Sequence, residues 1–196
     1  TLGAIVAAVG GLALLWAPSY VWGTLVALAF VVLLKGKARL LAVVAGAVMV
    51  VALVLESVAP NVSWSPYYKI TTRQVHDDQF GTRTYISVNG VPHQSMSSVE
   101  WKLTRASAIY GAPYARRGDS PLRDVLIVGA GSGSDVAIAL SKGAQHVDAV
   151  DIDPRIVQIG VQGNPDRAYA DPRVTRHIND GRAFLEGTDK KYDLIL

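Results

Sequence analysis

Gly129, Gly131 and Gly133 alternate with the small residues Ala130 and Ser132, and Asp151 follows about twenty residues later. Glycines let a backbone bend tightly and approach a ligand with no Cβ in the way. A helix that starts just after such a bend presents unpaired N–H groups and a partial positive charge. A carboxylate at the tip of the next strand can accept hydrogen bonds from ribose hydroxyls, and Asp151, followed by Ile152, has that place. A dinucleotide site asks for G-x-G-x-x-G. Here the third glycine comes one position early and 134 is serine, so the spacing is G-x-G-x-G. That spacing favours an adenosylmethionine-type ligand, which has no pyrophosphate, and disfavours NAD. A second acid–glycine pair, Asp180-Gly181, is expected at the tip of a later strand, where it can meet an adenine edge or cap a helix, or do both.

The elements around these residues read clearly. Asp124–Val128 is a short apolar run, and Val136, Ile138, Ala139 and Leu140 recur at helical spacing until Gly143. Val147–Ile152 is a second apolar strand, which completes a β-α-β unit. Residues 155–162 then look helical, Val174–Ile178 is a third parallel strand, Arg182–Leu185 begins a helix, and Tyr192–Leu196 is a fourth strand. Asp135 either faces the ligand or favours the helix N-terminus, and the second role is preferred.

Upstream the composition changes. Residues 1–60 contain only Lys35, Lys37, Arg39 and Glu56 as charged residues, while the whole chain has a net charge of +3. Residues 1–34 are too long for one span of about 20 residues, and Trp16-Ala-Pro18-Ser-Tyr20-Val-Trp22 interrupts them. Spans are expected at about 1–16, 20–34 and 40–58, with a turn at 17–19 and a basic loop at 35–39. Leu and Val on all sides of these segments argue for lipid around them. A cleaved signal peptide does not fit three apolar segments. The sequence opens inside the first span without Met, so further spans are expected upstream. The basic loop would hold 35–39 in the cytoplasm and place 61–196 outside, whereas a nucleotide-type ligand argues for a cytoplasmic domain, and the second reading is kept.

Residues 61–98 read as a small antiparallel β-unit. Tyr67–Arg73, Arg83–Val88 and His93–Ser97 are its strands, with a polar loop before Gly81 and a tight turn at Asn89-Gly90. Tyr67, Tyr68, His93 and Gln94 could roof the ligand site or simply pack the β-unit. Val99, Leu103, Ala106 and Ile109 predict an amphipathic helix over 99–112, ended by Gly111-Ala-Pro113. No metal site is expected: His76-Asp77-Asp78 has no ligand spacing, and His93 lacks an i,i+4 partner. The absence of cysteine excludes disulfides and thiolate metal sites. Nothing resembles a nucleic-acid surface, since no basic stripe occurs. The RGD tripeptide at 117–119 is taken as chance.

The ordered set SPYYKI (65–70), VNGVPHQ (88–94), VLIVGAGSG (125–133), VDAVDIDP (147–154), DPRVTRHINDGRAFL (171–185) and KYDLIL (191–196) resembles the spermidine synthase family, and more narrowly bacterial membrane-anchored members. The resemblance implies a class I methyltransferase-type Rossmann-like domain at 99–196, truncated after the fourth strand, behind the β-unit at 61–98 and the membrane region at 1–60. It implies aminopropyl transfer from decarboxylated S-adenosylmethionine to an amine acceptor. Gly129, Ala130, Gly131, Ser132 and Gly133 would form the donor loop, Asp151 and Ile152 the ribose end, and Asp180 and Gly181 the adenine end. The family's general base, an aspartate after the fourth strand, would lie beyond Leu196. The chain departs from the family in having Ser132 where an aspartate holds the donor's amine, and Tyr68 where glutamine is expected. It also lacks a recognisable acidic segment for a polyamine within 95–110. S-adenosylmethionine-dependent methyl transfer and a non-catalytic donor-binding sensor or scaffold therefore stay open. The partners implied are a bilayer, a small amine and a second copy of the chain, in a multi-pass inner-membrane protein of bacterial type.

Overall fold

The computed structural model describes residues 2–13, 17–116 and 120–196. It divides into two compact units, Thr1–Thr71 and Thr72–Leu196. The end of the first expected span at 14–16 and the RGD tripeptide lie outside the described residues.

The first unit opens with helices α1 (Leu2–Ala13), α2 (Ser19–Leu33) and α3 (Gly36–Ser57). Glycines let α2 and α3 approach closely. A Cβ on Gly46 would come within 2.9 Å of Ala27 Cβ, and one on Gly23 would strike Leu53. The Ser19 and Ser57 hydroxyls meet at 3.1 Å, so the start of α2 lies beside the end of α3. Side chains around both helices point outward bare, with Leu33 76% and Leu41 70% exposed. Among the described residues, α3 is the one helix long and apolar enough to cross a membrane, and α2, at 15 residues, is shorter than a usual span.

The expected basic loop at 35–39 is two residues instead. Arg39 donates its Nε–H to the Val31 carbonyl at 2.8 Å, which satisfies an open end of α2 and lets α3 begin at Gly36. At the other end, Glu56 forms an ion pair with Lys69. β1 (Val62–Trp64) pairs antiparallel with the start of β2 (Lys69–Asp77).

The second unit takes up the rest of β2 and adds β3 (Gly81–Val88) and β4 (Val91–Met96), giving the strand order β1-β2-β3-β4. The Asn89-Gly90 turn is of the hairpin type, with both residues at positive φ, 50° and 81°. β2 runs further than the sequence suggests. It carries His76, read above as a loop residue, whose Nδ1 lies 3.4 Å from Thr82 Oγ1 across the hairpin.

The helix expected over 99–112 is broken into α4 (Val99–Arg105), α5 (Ser107–Tyr110) and α6 (Ala112–Ala115). Ala106 leaves the helical region at φ −140°, and Gly111-Ala-Pro113 starts a further turn where it was expected to end the helix. Proline at the second position of a helix has no N–H to lose there.

A parallel sheet follows: β5 (Asp124–Val128), β6 (His146–Asp151), β7 (Val174–Ile178) and β8 (Leu194–Ile195), in the order β7-β6-β5-β8. Crossover helices α7 (Ser134–Ser141), α8 (Pro154–Gly163) and α9 (Gly181–Gly187) join the strands. Val125, Ile127, Val136, Ala139 and Val147 form its fully buried core. The fourth strand is shorter than Tyr192–Leu196, although its hydrogen bonds to β5 run from the Asp193 N–H to the Leu196 carbonyl.

Candidate functional site

The turn between β5 and α7 takes three glycines at positive φ: 75° at Gly129, 55° at Gly131 and 82° at Gly133. An L side chain costs about 1–2 kcal/mol at each such position. The Gly129 and Ala130 N–H groups both donate to the Val150 carbonyl, at 2.9 and 3.0 Å, which ties the turn to β6. The Gly131 N–H donates to Asp151 Oδ2 at 2.8 Å. The Ser132 N–H and hydroxyl both donate to Gln94 Oε1, at 2.9 and 2.8 Å. The Gly133 N–H donates to the Ala130 carbonyl at 2.9 Å. Every N–H from 129 to 133 is thus satisfied within the protein. A loop that cradles phosphate keeps such donors for its ligand; this one offers none from these five residues.

Asp151 sits at the end of β6 and faces the loop. Its second oxygen, Oδ1, accepts the Asp153 N–H at 2.8 Å. An ionised carboxylate has about four acceptor positions, so roughly half remain after both backbone bonds. The neighbouring ends of β5 and β6 are open, with Val128 37% and Ile152 39% exposed, and a Cβ on Gly129 would meet nothing within 4 Å. Gly181 approaches this end closely, since a Cβ there would strike Val128 Cγ1. Asp180 Oδ1 accepts the Ala183 N–H at 2.9 Å and caps α9, and Asp180 is exposed. The Asn179 N–H donates to the Asp151 carbonyl at 3.0 Å, so the tips of β6 and β7 are locked together.

Gln94 lies against the loop: a Cβ on Gly131 would come within 2.6 Å of its Oε1. The β3–β4 ladder passes from Ile86↔Gln94 to Ser87↔Pro92, which leaves His93 as the extra residue of a bulge. Bulges re-aim the side chains beside them. His93 is exposed on this bulge. Tyr68 belongs to the first unit, where its carbonyl accepts the Ser65 N–H at 2.9 Å.

Several supports carry no sequence signal of their own. The Tyr169 hydroxyl donates to the Gly131 carbonyl at 2.8 Å, and Asn164 Nδ2 donates to the Ser132 carbonyl at 3.0 Å. Burial, with Asp151 nearby, pushes the Tyr169 hydroxyl well above its usual range. Lys102 is 1% exposed, and its ammonium donates to the Ser95 carbonyl at 3.1 Å and to Tyr110 OH at 3.0 Å. Asp135, in the first turn of α7, has its carboxyl raised by burial, with Lys102 opposing the rise. Burial and then Asp135 push the Tyr114 hydroxyl up. Lys102 is thus a buried lysine whose ammonium ties α4 to Ser95 and to Tyr110.

A second buried acid, Asp148, clamps the sheet away from the glycine turn. It accepts from His177 Nε2 at 2.9 Å, Lys190 Nζ at 2.9 Å and Tyr192 OH at 3.0 Å. Burial alone would raise its carboxyl, but these three bonds outweigh it and hold the group below the usual carboxylate range.

Known proteins point the same way. Residues 109–196 match the Spermine/spermidine synthase domain family. A polyamine aminopropyltransferase of Lachnoclostridium phytofermentans is 35% identical over 78 residues, covering 38% of this chain and 28% of that protein. A spermidine synthase of Coffea arabica is 39% identical over 80 residues, covering 38% of this chain and 25% of that protein. The chain therefore spans about a quarter of the length of these relatives. The crystal structure of spermidine synthase from Thermotoga maritima superposes with a TM-score of 0.54 at 14% identity, covering 68% of this chain and 44% of that one, and so shares the fold. With its glycine turn, its strand-tip acid and the matching stretch at 109–196, the chain is similar over that stretch to the spermidine synthase family.

Proposed function

We propose that this chain is the donor-binding part of a membrane-anchored transferase that uses an S-adenosylmethionine-type sulfonium donor. In this reading Gly129–Gly133 seat the donor, Asp151 takes its ribose hydroxyls with Ile152 beside it, and Asp180-Gly181 meets the adenine edge. Gln94, with His93 as a further candidate, closes the acceptor side. The observation that carries the reading is Asp151. It spends two acceptor positions on the Gly131 and Asp153 N–H groups and keeps the rest beside a turn with no N–H left for phosphate. That combination suits a nucleoside without a pyrophosphate. The helix pair α2 and α3 holds the protein in a bilayer, with the α/β part on the cytoplasmic side.

The reaction favoured by the relatives is aminopropyl transfer. An amine nitrogen attacks the propyl carbon bonded to the sulfonium, the C–S bond breaks, its electrons return to sulfur, and methylthioadenosine leaves. The attacking nitrogen then gives a proton to a base. Alignment of nucleophile and donor supplies most of the acceleration in such a displacement.

Ser132 and Lys102 favour a second reading. Ser132 is fully buried and its hydroxyl is committed to Gln94, where an aspartate would grip the donor's amine. Lys102 adds a buried positive charge. Both fit methyl transfer from S-adenosylmethionine itself. The test is to offer the protein each donor together with a diamine and identify the nucleoside product. Methylthioadenosine supports aminopropyl transfer, and S-adenosylhomocysteine supports methyl transfer. Donor binding without either product leaves a sensor, and no binding of either donor overturns the site.

A further inference from the structure

The β2–β3 hairpin carries two guanidinium groups on one aromatic ring. Arg73 Cζ lies 5.4 Å from the centre of the Tyr85 ring and Arg83 Cζ lies 5.2 Å from it. Arg83 also stacks on Trp101 of α4 at 4.4 Å. Residues 83 and 85 share one face of β3, opposite the buried Thr84 and Ile86. The rings hold both cations in place through their negative faces.

Two like charges on one ring repel each other and call for an anion between or above them. None is supplied internally: among the described residues, neither Arg73 nor Arg83 forms an ion pair. Arg83 Nε is buried and has no hydrogen-bond acceptor, and stacking takes the faces of that guanidinium, leaving the N–H groups on its edges to meet an acceptor. Arg73 is exposed. A stacked guanidinium presents a planar fork of donors that matches the oxygens of a phosphate group, which a lysine at the same position would not.

We propose that Arg73 and Arg83, walled by Tyr85 and Trp101, form a binding site for a phosphate group. The phosphate can be that of an anionic lipid headgroup or a free one, since both present the same oxygens to the fork.

The test uses the detergent-solubilised protein with Trp16, Trp22 and Trp64 replaced by phenylalanine, so that fluorescence reports Trp101. It is titrated with dihexanoyl phosphatidylglycerol, with dihexanoyl phosphatidylcholine and with inorganic phosphate. A saturable change that weakens as salt rises, and that Arg73→Gln weakens by about tenfold, supports the site. A response to phosphatidylglycerol alone assigns a lipid headgroup, and an equal response to inorganic phosphate assigns a soluble phosphate. Arg73→Lys, which keeps the charge but not the fork, should recover only part of the affinity. No response to any of the three, or an Arg73→Gln variant that binds as well as its parent, overturns the proposal. Donor binding measured by calorimetry on Arg73→Gln stays unchanged, so a failure of the glycine-turn site and a failure of this one are separate results.

Discussion

Replacing Asp151 with asparagine tests its proposed ribose contact separately from its bracing of the turn. The carboxylate accepts the Gly131 N–H through Oδ2 and the Asp153 N–H through Oδ1, each at 2.8 Å. Asparagine keeps the shape but has one accepting oxygen. Its amide nitrogen must then face one of these two N–H groups, donor against donor, and the negative charge is gone. An unsatisfied, part-buried N–H costs about 1–3 kcal/mol, so the variant should be less stable by about that much. A bound ribose loses more. Hydrogen bonds to a charged acceptor are worth about 1.5–3 kcal/mol each. Losing the charge, together with one of the two ribose bonds, should cost about 2–4 kcal/mol of donor binding, or about 30-fold to about 700-fold in affinity. Calorimetry with S-adenosylmethionine and its decarboxylated form, well below the melting temperature of the variant, reads the binding loss, and denaturant unfolding reads the stability loss. A variant that is destabilised yet binds donor within twofold of the parent would show that Asp151 only braces the turn, and the donor reading would go with it.

Four further substitutions probe the turn and the sheet. Gly133→Ala must place a side chain at φ 82° and within 2.9 Å of the Tyr169 ring, whereas Gly143→Ala has φ 88° and open space. The first should cost about 2–4 kcal/mol in denaturant unfolding and the second about 1–2 kcal/mol, the difference being the clash. Asp148→Asn tests the sheet clamp through pH. The carboxyl is held below its usual value in the folded protein, so its stabilisation is complete above about pH 4 and is lost as pH falls through the lowered value. Lys190 is 41% exposed, which screens its share of the attraction. The variant should therefore lose only about 1–2 kcal/mol at neutral pH. It should lose less under acid, and thermal melts across pH 2–7 would show the two curves converging. Gln94→Ala leaves the Ser132 N–H and hydroxyl without their shared acceptor. It should destabilise the protein by about 1–3 kcal/mol, and hydrogen exchange at Ser132 should quicken; exchange as slow as in the parent would show that Gln94 does not hold the turn.

The parallel sheet was legible in the sequence because its signals are local. Three glycines demand positive φ, apolar runs of five or six residues can only be strands between them, and Asp151 follows at a distance set by one helix and one turn. The β3–β4 turn was legible for the same reason, since Asn-Gly favours paired left-handed residues. Where the reading failed, a tertiary bond decided. Arg39 reaches back to the Val31 carbonyl, so the apparent basic loop closed into helix α3. The break at Ala106 accompanies a buried Lys102 that reaches Tyr110 on the next helical segment, which apolar spacing cannot show. His76 joined a strand because its neighbour across the hairpin is Thr82.

The site divides along the same line. The sequence alone determined which residues form the turn and which acid faces it, because backbone dihedrals and the strand–helix–strand repeat are short-range properties. It also marked an apolar α3 long enough for a bilayer. Only the tertiary structure decided that Gln94, Tyr169 and Asn164 hold the turn from the side, that all five of its N–H groups are consumed, and that Asp148 gathers His177, Lys190 and Tyr192. Those partners lie 29 to 44 residues apart. Their pairing comes from burial, which makes every polar group find a partner, and not from any spacing written along the chain.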